Sequence, residues 1–348
     1  MYPPRVSSNN APQRSLLLDI YRIILCIGVV VYHYTPESPA SGPFMVNGFF
    51  VLSGFLFAME YIKNQTFDVI KFYEKKIKRL MPLFLCAIFI GLILRIAINR
   101  PFPDHFSWGD FDIVAFIMYY DTPAWYMAVE FALLLMAPFF FFIMRKKYIV
   151  VFTLVMIIFT GWLFSKVRPY SFYADGLYFS PFARSWQFLM GMSAAVLYAK
   201  HCNSKLFRGK VGRYLTTVLF IVFFLLSIIL MIVKQKLQLN YWNYTFSFTF
   251  LSSVLMACLI PLLYSTPIIV VNKIRERLVY FSLLTYPVYL IHVPVLWYIS
   301  IFFDKMMGLQ ITWLNLSLSV VLTLVGASVL HNFEKRYVQP FIFGKKDV

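Results

Sequence analysis

Residues 16–34 read Leu-Leu-Leu-Asp-Ile-Tyr-Arg-Ile-Ile-Leu-Cys-Ile-Gly-Val-Val-Val-Tyr-His-Tyr. As a helix this stretch is long enough to cross the roughly 30 Å hydrocarbon core of a bilayer, yet it holds Asp19, Arg22 and His33. An Arg or Asp at a helix centre costs about 2.5–3.5 kcal/mol on insertion scales, so such residues face a protein interior or a water-filled site. Arg22 and His33 are eleven residues apart, which returns a helix to within about 20° of the same face, so they share one stripe about 16 Å long. Asp19, three residues before Arg22, is expected to pair with its guanidinium across one turn. Two readings stay open on this stretch alone: charges at the membrane surface with a hydrogen-bonded histidine at the far interface, or a functional stripe.

The rest of the chain repeats the pattern. Of 348 residues 60% are hydrophobic and 14% charged, the mean hydropathy is +0.72, and apolar runs of span length recur from end to end. That is the signature of a polytopic all-α membrane bundle and excludes a soluble globular enzyme. Spans are expected at 16–34, 44–62, 80–99, 125–144, 149–165, 180–199, 214–233, 241–264, 279–301 and 312–331, ten in all, with Ile113–Tyr120 interfacial or re-entrant. Lys and Arg number 23 in the tails and alternate loops on one side and 6 on the other, which places both termini in the cytoplasm. The net charge of +17 therefore belongs to the cytoplasmic face and does not point to nucleic acid. Cys26, Cys86, Cys202 and Cys258 show neither disulfide nor metal-ligand spacing. The first span is read as a retained helix, not a signal peptide. The domain reading is a tail over 1–15, one membrane domain over 16–337 and a tail over 338–348.

Five further stretches put polar groups in apolar surroundings. In Asn47-Gly-Phe-Phe-Val-Leu-Ser-Gly-Phe-Leu, Gly54 suits close helix packing, and Ser53 is either a nucleophile, a donor to substrate or a packing residue. The basic run Phe72–Pro82 is either a lipid anchor or a phosphate-binding lip in which Lys76 and Arg79 lie one turn apart. Trp125-Tyr-Met-Ala-Val-Glu places Glu130 inside the outer face, with Arg184, His33 and His292 as candidate partners. Arg184, opening the sixth span, reads by position as an interfacial snorkelling residue. His292 sits mid-span between Pro287 and Pro294, where a kink is expected and the histidine is either structural or chemical.

Taken in order, these stretches resemble the membrane acyltransferase-3 family, whose members include bacterial O-acetyltransferases of lipopolysaccharide and other surface glycans. The first motif is carried by Leu18, Asp19, Arg22 and His33, with Tyr21 where the family has Leu. Residues 49–56 match Phe-Phe-x-Leu-Ser-Gly-Phe-Leu, and Lys75–Pro82 resembles a basic run ending in Arg-x-x-Pro. Trp125 with Glu130, Arg184 through Gly191, and Tyr286, Tyr289, Leu290 with His292 complete the set over about residues 16–337. Lys76 departs from the Arg of many members, which loses bidentate geometry. Some members carry an appended extracytoplasmic esterase-like domain; this chain is read without one.

The resemblance implies acyl transfer from cytosolic acetyl-CoA, the donor substrate, to a glycan or lipid-linked glycan hydroxyl at the outer face of a bacterial inner membrane, with no metal. It implies Lys75, Lys76, Lys78 and Arg79 on the donor's phosphates, and Arg22 deeper on its pantetheine or pyrophosphate. His33 is the implied general base or acyl acceptor, Glu130 its orienting group or the partner of Arg184, and His292 a second proton-transfer group. Asp19, Ser53, Trp125, Arg184 and Tyr289 are supporting residues. A flippase or transporter of acyl groups or glycolipid, and a scaffold for glycan assembly, are the alternatives, because intramembrane His, Arg and Glu also serve proton relays.

Overall fold

The computed structural model describes residues 14–35, 41–63, 68–97, 125–145, 148–166, 179–232, 241–307 and 313–340. The stretch Ile113–Tyr120 lies outside them. The described residues are almost all helical, as the span-length apolar runs require: with no water to satisfy backbone N–H and C=O groups, each segment bonds its own. Helices α1 (Leu16–Tyr34), α2 (Ser41–Lys63), α3 (Val69–Ala97), α4 (Trp125–Leu135), α5 (Ala137–Arg145) and α6 (Ile149–Lys166) come first. They are followed by α7 (Pro181–His201), α8 (Lys205–Arg208), α9 (Lys210–Ile232), α10 (Tyr241–Ser265), α11 (Asn272–Met307), α12 (Trp313–Phe333) and a π-helical turn, Glu334–Val338.

Among the described residues seven helices are long and apolar enough to cross a membrane, and α4 with α5, bent by 52°, makes an eighth if the pair is one span. The described parts of the two other expected spans also fall on helices, 80–97 on α3 and 181–199 on α7. Arg184, Ser185 and Gln187 lower the hydropathy of α7, and all three are buried. The chain is a multi-pass membrane protein.

The helices group into two compact units. The first, residues 1–67 and 129–282, is built on the crossing of α2 with α7. A Cβ at Gly54 would lie 1.9 Å from the Phe188 carbonyl oxygen, and one at Gly191 would lie 2.0 Å from that of Val51. Backbone meets backbone there, which only glycine permits. The packing reading of Gly54 therefore holds. Around the crossing Phe57 stacks on Phe141 with ring centroids 4.9 Å apart, and Phe188 lies 5.4 Å from Phe57. Helix α6 joins α7 through Thr153, whose hydroxyl is 2.9 Å from that of Ser193 and donates to the Leu189 carbonyl at 3.2 Å. Its other face exposes Val151, Leu154, Val155, Ile158 and Trp162, an apolar surface suited to lipid.

The second unit comprises residues 68–128 and 283–348. Helix α11 continues through Pro287 and Pro294 without interruption. The Tyr286 hydroxyl donates to the Leu80 carbonyl at 2.7 Å, tying α11 to α3. On α12 the buried residues Asn315, Ser319, Thr323 and Ala327 recur every fourth position, one face of a helix.

Candidate functional site

Helix α1 begins after Ser15, whose backbone is extended and whose side chain makes no cap. The Ser15 hydroxyl instead donates to the Leu263 carbonyl at 2.7 Å, pinning the start of α1 to α10. One turn in, the Asp19 carboxylate is 1% exposed. A buried carboxylate requires a cation and hydrogen bonds, and it has both. Arg14 Nε donates to Oδ2 at 2.8 Å and Arg14 Nη2 to Oδ1 at 2.9 Å, while the Ser282 hydroxyl donates to Oδ1 at 2.7 Å. Arg22 Nη1 lies 3.6 Å from Oδ1, an ion-pair distance too long for a hydrogen bond. The expected i,i+3 pairing of Asp19 with Arg22 is thus present at ion-pair distance, and Arg14, which the spacing did not point to, adds the hydrogen-bonded fork.

Arg22 and His33 are both half-buried, whereas Leu18, Tyr21, Leu25 and Val29 form the buried face of α1. The eleven-residue spacing places the two on one side of the helix. The His33 ring meets Tyr32 edge-on with centroids 4.8 Å apart. The Tyr21 hydroxyl is buried and has no hydrogen-bond partner among the described residues.

A second cluster surrounds Arg184. This residue is 4% exposed, so the snorkelling reading is corrected: α7 turns it inward. Its Nη1 contacts Gln187 Oε1 at 3.4 Å and Asn47 Oδ1 at 3.5 Å. Gln187 Nε2 donates to Asn47 Oδ1 at 2.6 Å, Asn47 Nδ2 donates to the Ser252 hydroxyl at 2.8 Å, and that hydroxyl donates to the Thr249 carbonyl at 2.9 Å. Asn47, Gln187 and Ser252 are buried polar residues the sequence reading passed over. The signal available was an amide inside an apolar run, which a bundle tolerates only with partners. Glu130 on α4 is buried in the same unit, and Ser53 is half-buried.

The second unit holds the remaining candidates. His292 is wholly buried, with Nδ1 2.8 Å from the Tyr289 carbonyl and 3.1 Å from that of Val288. A carbonyl only accepts, so Nδ1 carries the proton in the neutral ring. The Tyr289 ring lies 5.8 Å from His292 and 5.5 Å from Tyr126, and Trp125, at the start of α4, is buried. The basic run on α3 divides. Lys75 and Arg79 are exposed, Lys78 pairs with Glu74, and Lys76 Nζ rests 5.4 Å from the centre of the Phe72 ring.

Residues 16–332 match the family described as Acyltransferase domain. The chain is also similar to the O-acetyltransferase OatA of Staphylococcus aureus strains NCTC 8325 and COL, at 34% identity over 79 residues, which is 22% of this chain and 13% of each relative. The chain thus spans about an eighth of the length of these curated relatives in the matched region. No solved structure matches it. Because the family match runs through α1 and on into α12, taking in every site residue expected from the sequence, the chain belongs to the membrane acyltransferase-3 family.

Proposed function

We propose that this protein is an integral-membrane O-acyltransferase that moves acetyl from cytosolic acetyl-CoA to a hydroxyl of a cell-surface glycan of the O-antigen type, in a bacterial inner membrane. The observation that carries the reading is α1: in a chain of this family, one span presents half-buried Arg22 and half-buried His33 at opposite ends of one stripe. The Lys and Arg asymmetry puts Arg22 toward the cytoplasm and His33 toward the outer face. Arg22 holds the anionic donor. His33 takes the proton of the acceptor hydroxyl as that oxygen bonds to the acyl carbon; the carbon–sulfur bond breaks, and the departing coenzyme A thiolate takes that proton from the imidazolium to leave as the thiol. In a two-step variant the imidazole accepts the acyl group first. Lys75, Lys76, Lys78 and Arg79 are assigned to donor phosphates, Glu130 to orienting His33 or pairing with Arg184, and His292 to a second proton transfer.

Mass spectrometry of surface glycan from cells carrying the wild-type gene, its deletion or His33→Ala tests the proposal. The mass of an acetyl group is expected only with wild type, the variant protein being present in the membrane at normal level. Identical glycan in all three overturns the proposal in favour of transport or scaffolding.

A further inference from the structure

Asp19 has one negative charge and two guanidinium neighbours, and they are not equivalent. Arg14 approaches side-on, with two nitrogens on two oxygens at 2.8 and 2.9 Å. Its Nη2 also lies 3.5 Å from the Ser282 hydroxyl that serves the same carboxylate. Arg22, 29% exposed, stands at 3.6 Å. The family match begins at residue 16, so Arg14 lies outside the motif that contains Asp19, Arg22 and His33. We infer that Arg14 is a positioning residue: by occupying Asp19 it keeps the Arg22 guanidinium from closing onto that carboxylate and leaves it directed toward an anionic group of the acyl donor.

The physical reason is competition for a buried anion. A carboxylate that is 1% exposed takes the nearest cation, because leaving it unpaired in a low-dielectric setting is costly. Arg22, on the same helix at i+3, is the replacement within reach. Removing Arg14 therefore does not simply vacate a surface contact. It moves the 3.6 Å neighbour into hydrogen-bond range and withdraws it from the donor side. Removing the charge of Asp19 as well abolishes the competition.

This inference rests on the donor role assigned to Arg22, and the experiment separates the two. In full-length protein in nanodiscs, the rate at which phenylglyoxal modifies Arg22 is followed by mass spectrometry for wild type, Arg14→Gln, Arg14→Lys and Arg14→Gln with Asp19→Asn. Arg14→Gln is expected to slow modification about tenfold, the scale of a charge-assisted hydrogen bond. Arg14→Lys, which keeps the charge but not the fork, slows it less and guards against misfolding of the Gln variant. Adding Asp19→Asn restores the wild-type rate. Acetyl-CoA affinity, measured on the same samples, falls and recovers in parallel. An unchanged modification rate in Arg14→Gln, or no recovery in the double variant, overturns the inference. If modification follows the expected series while acetyl-CoA affinity is the same in every variant and in Arg22→Gln, the positioning stands and the donor role of Arg22 fails.

Discussion

The first unit buries a carboxylate at one end of α1 and a guanidinium at the start of α7, and it treats them differently. Asp19 is met by an opposite charge in a two-pronged bond, with Ser282 completing the set. Arg184 is met by the amide oxygens of Asn47 and Gln187, which are themselves bonded to each other and through Ser252 to the backbone of α10. The ion pair neutralises its charge on the spot and draws on a neighbour five residues away. The amide chain spreads a dipole response over three helices, so its members come from positions 140 and 205 residues apart. The carboxylate cluster is a local clasp, and the guanidinium cluster is a tertiary one.

Replacing Asp19 by Ala breaks the clasp most severely, because two cations lose a buried counter-charge; a loss of about 3–5 kcal/mol is expected, read from unfolding of the purified protein in mixed micelles. Asn47→Leu is the matching change at the other end. It removes one donor and one acceptor shared with the Arg184 guanidinium, while Gln187 Oε1 still faces that charge, so the expected loss is smaller, about 1–3 kcal/mol. If Asn47→Leu costs as much as Asp19→Ala, the distinction between local ion pair and distributed amide network fails. Tyr21 sharpens the comparison with a third kind of buried polar group on α1. Its hydroxyl has no partner among the described residues and lies where a Cβ on Gly48 would come within 2.8 Å. Tyr21→Phe is therefore expected to change stability by no more than about 1 kcal/mol, in the stabilising direction, and a clear loss would show that the hydroxyl has a bond.

How much of this was legible beforehand depends on range. The inward placement of Asp19 and the shared stripe of Arg22 and His33 follow from the helical period alone, because those residues stand on one helix. The tight role of Gly54 was legible from a small residue in an apolar span, though its contact, the Phe188 carbonyl, was not. The snorkelling reading of Arg184 fails because proximity to the end of an apolar run says nothing of azimuth, and α7 turns the side chain toward Asn47 of α2. Arg14 was counted only as a charge in a polar tail. Its bond to Asp19 comes from a residue that precedes the helix, where no periodicity sets the direction of a side chain.

Composition and hydropathy by themselves determined an all-α membrane bundle, since a chain in lipid must satisfy each backbone group within its own helix. The order of motifs identified the family for the same reason that each motif is short: its residues lie within a few helical turns. Only the tertiary structure decided which amides receive Arg184 and which carbonyls Gly54 and Gly191 meet where α2 crosses α7. Those choices are made between helices, where the partner is set by azimuth and approach distance, and neither quantity is written in the spacing of residues along one segment.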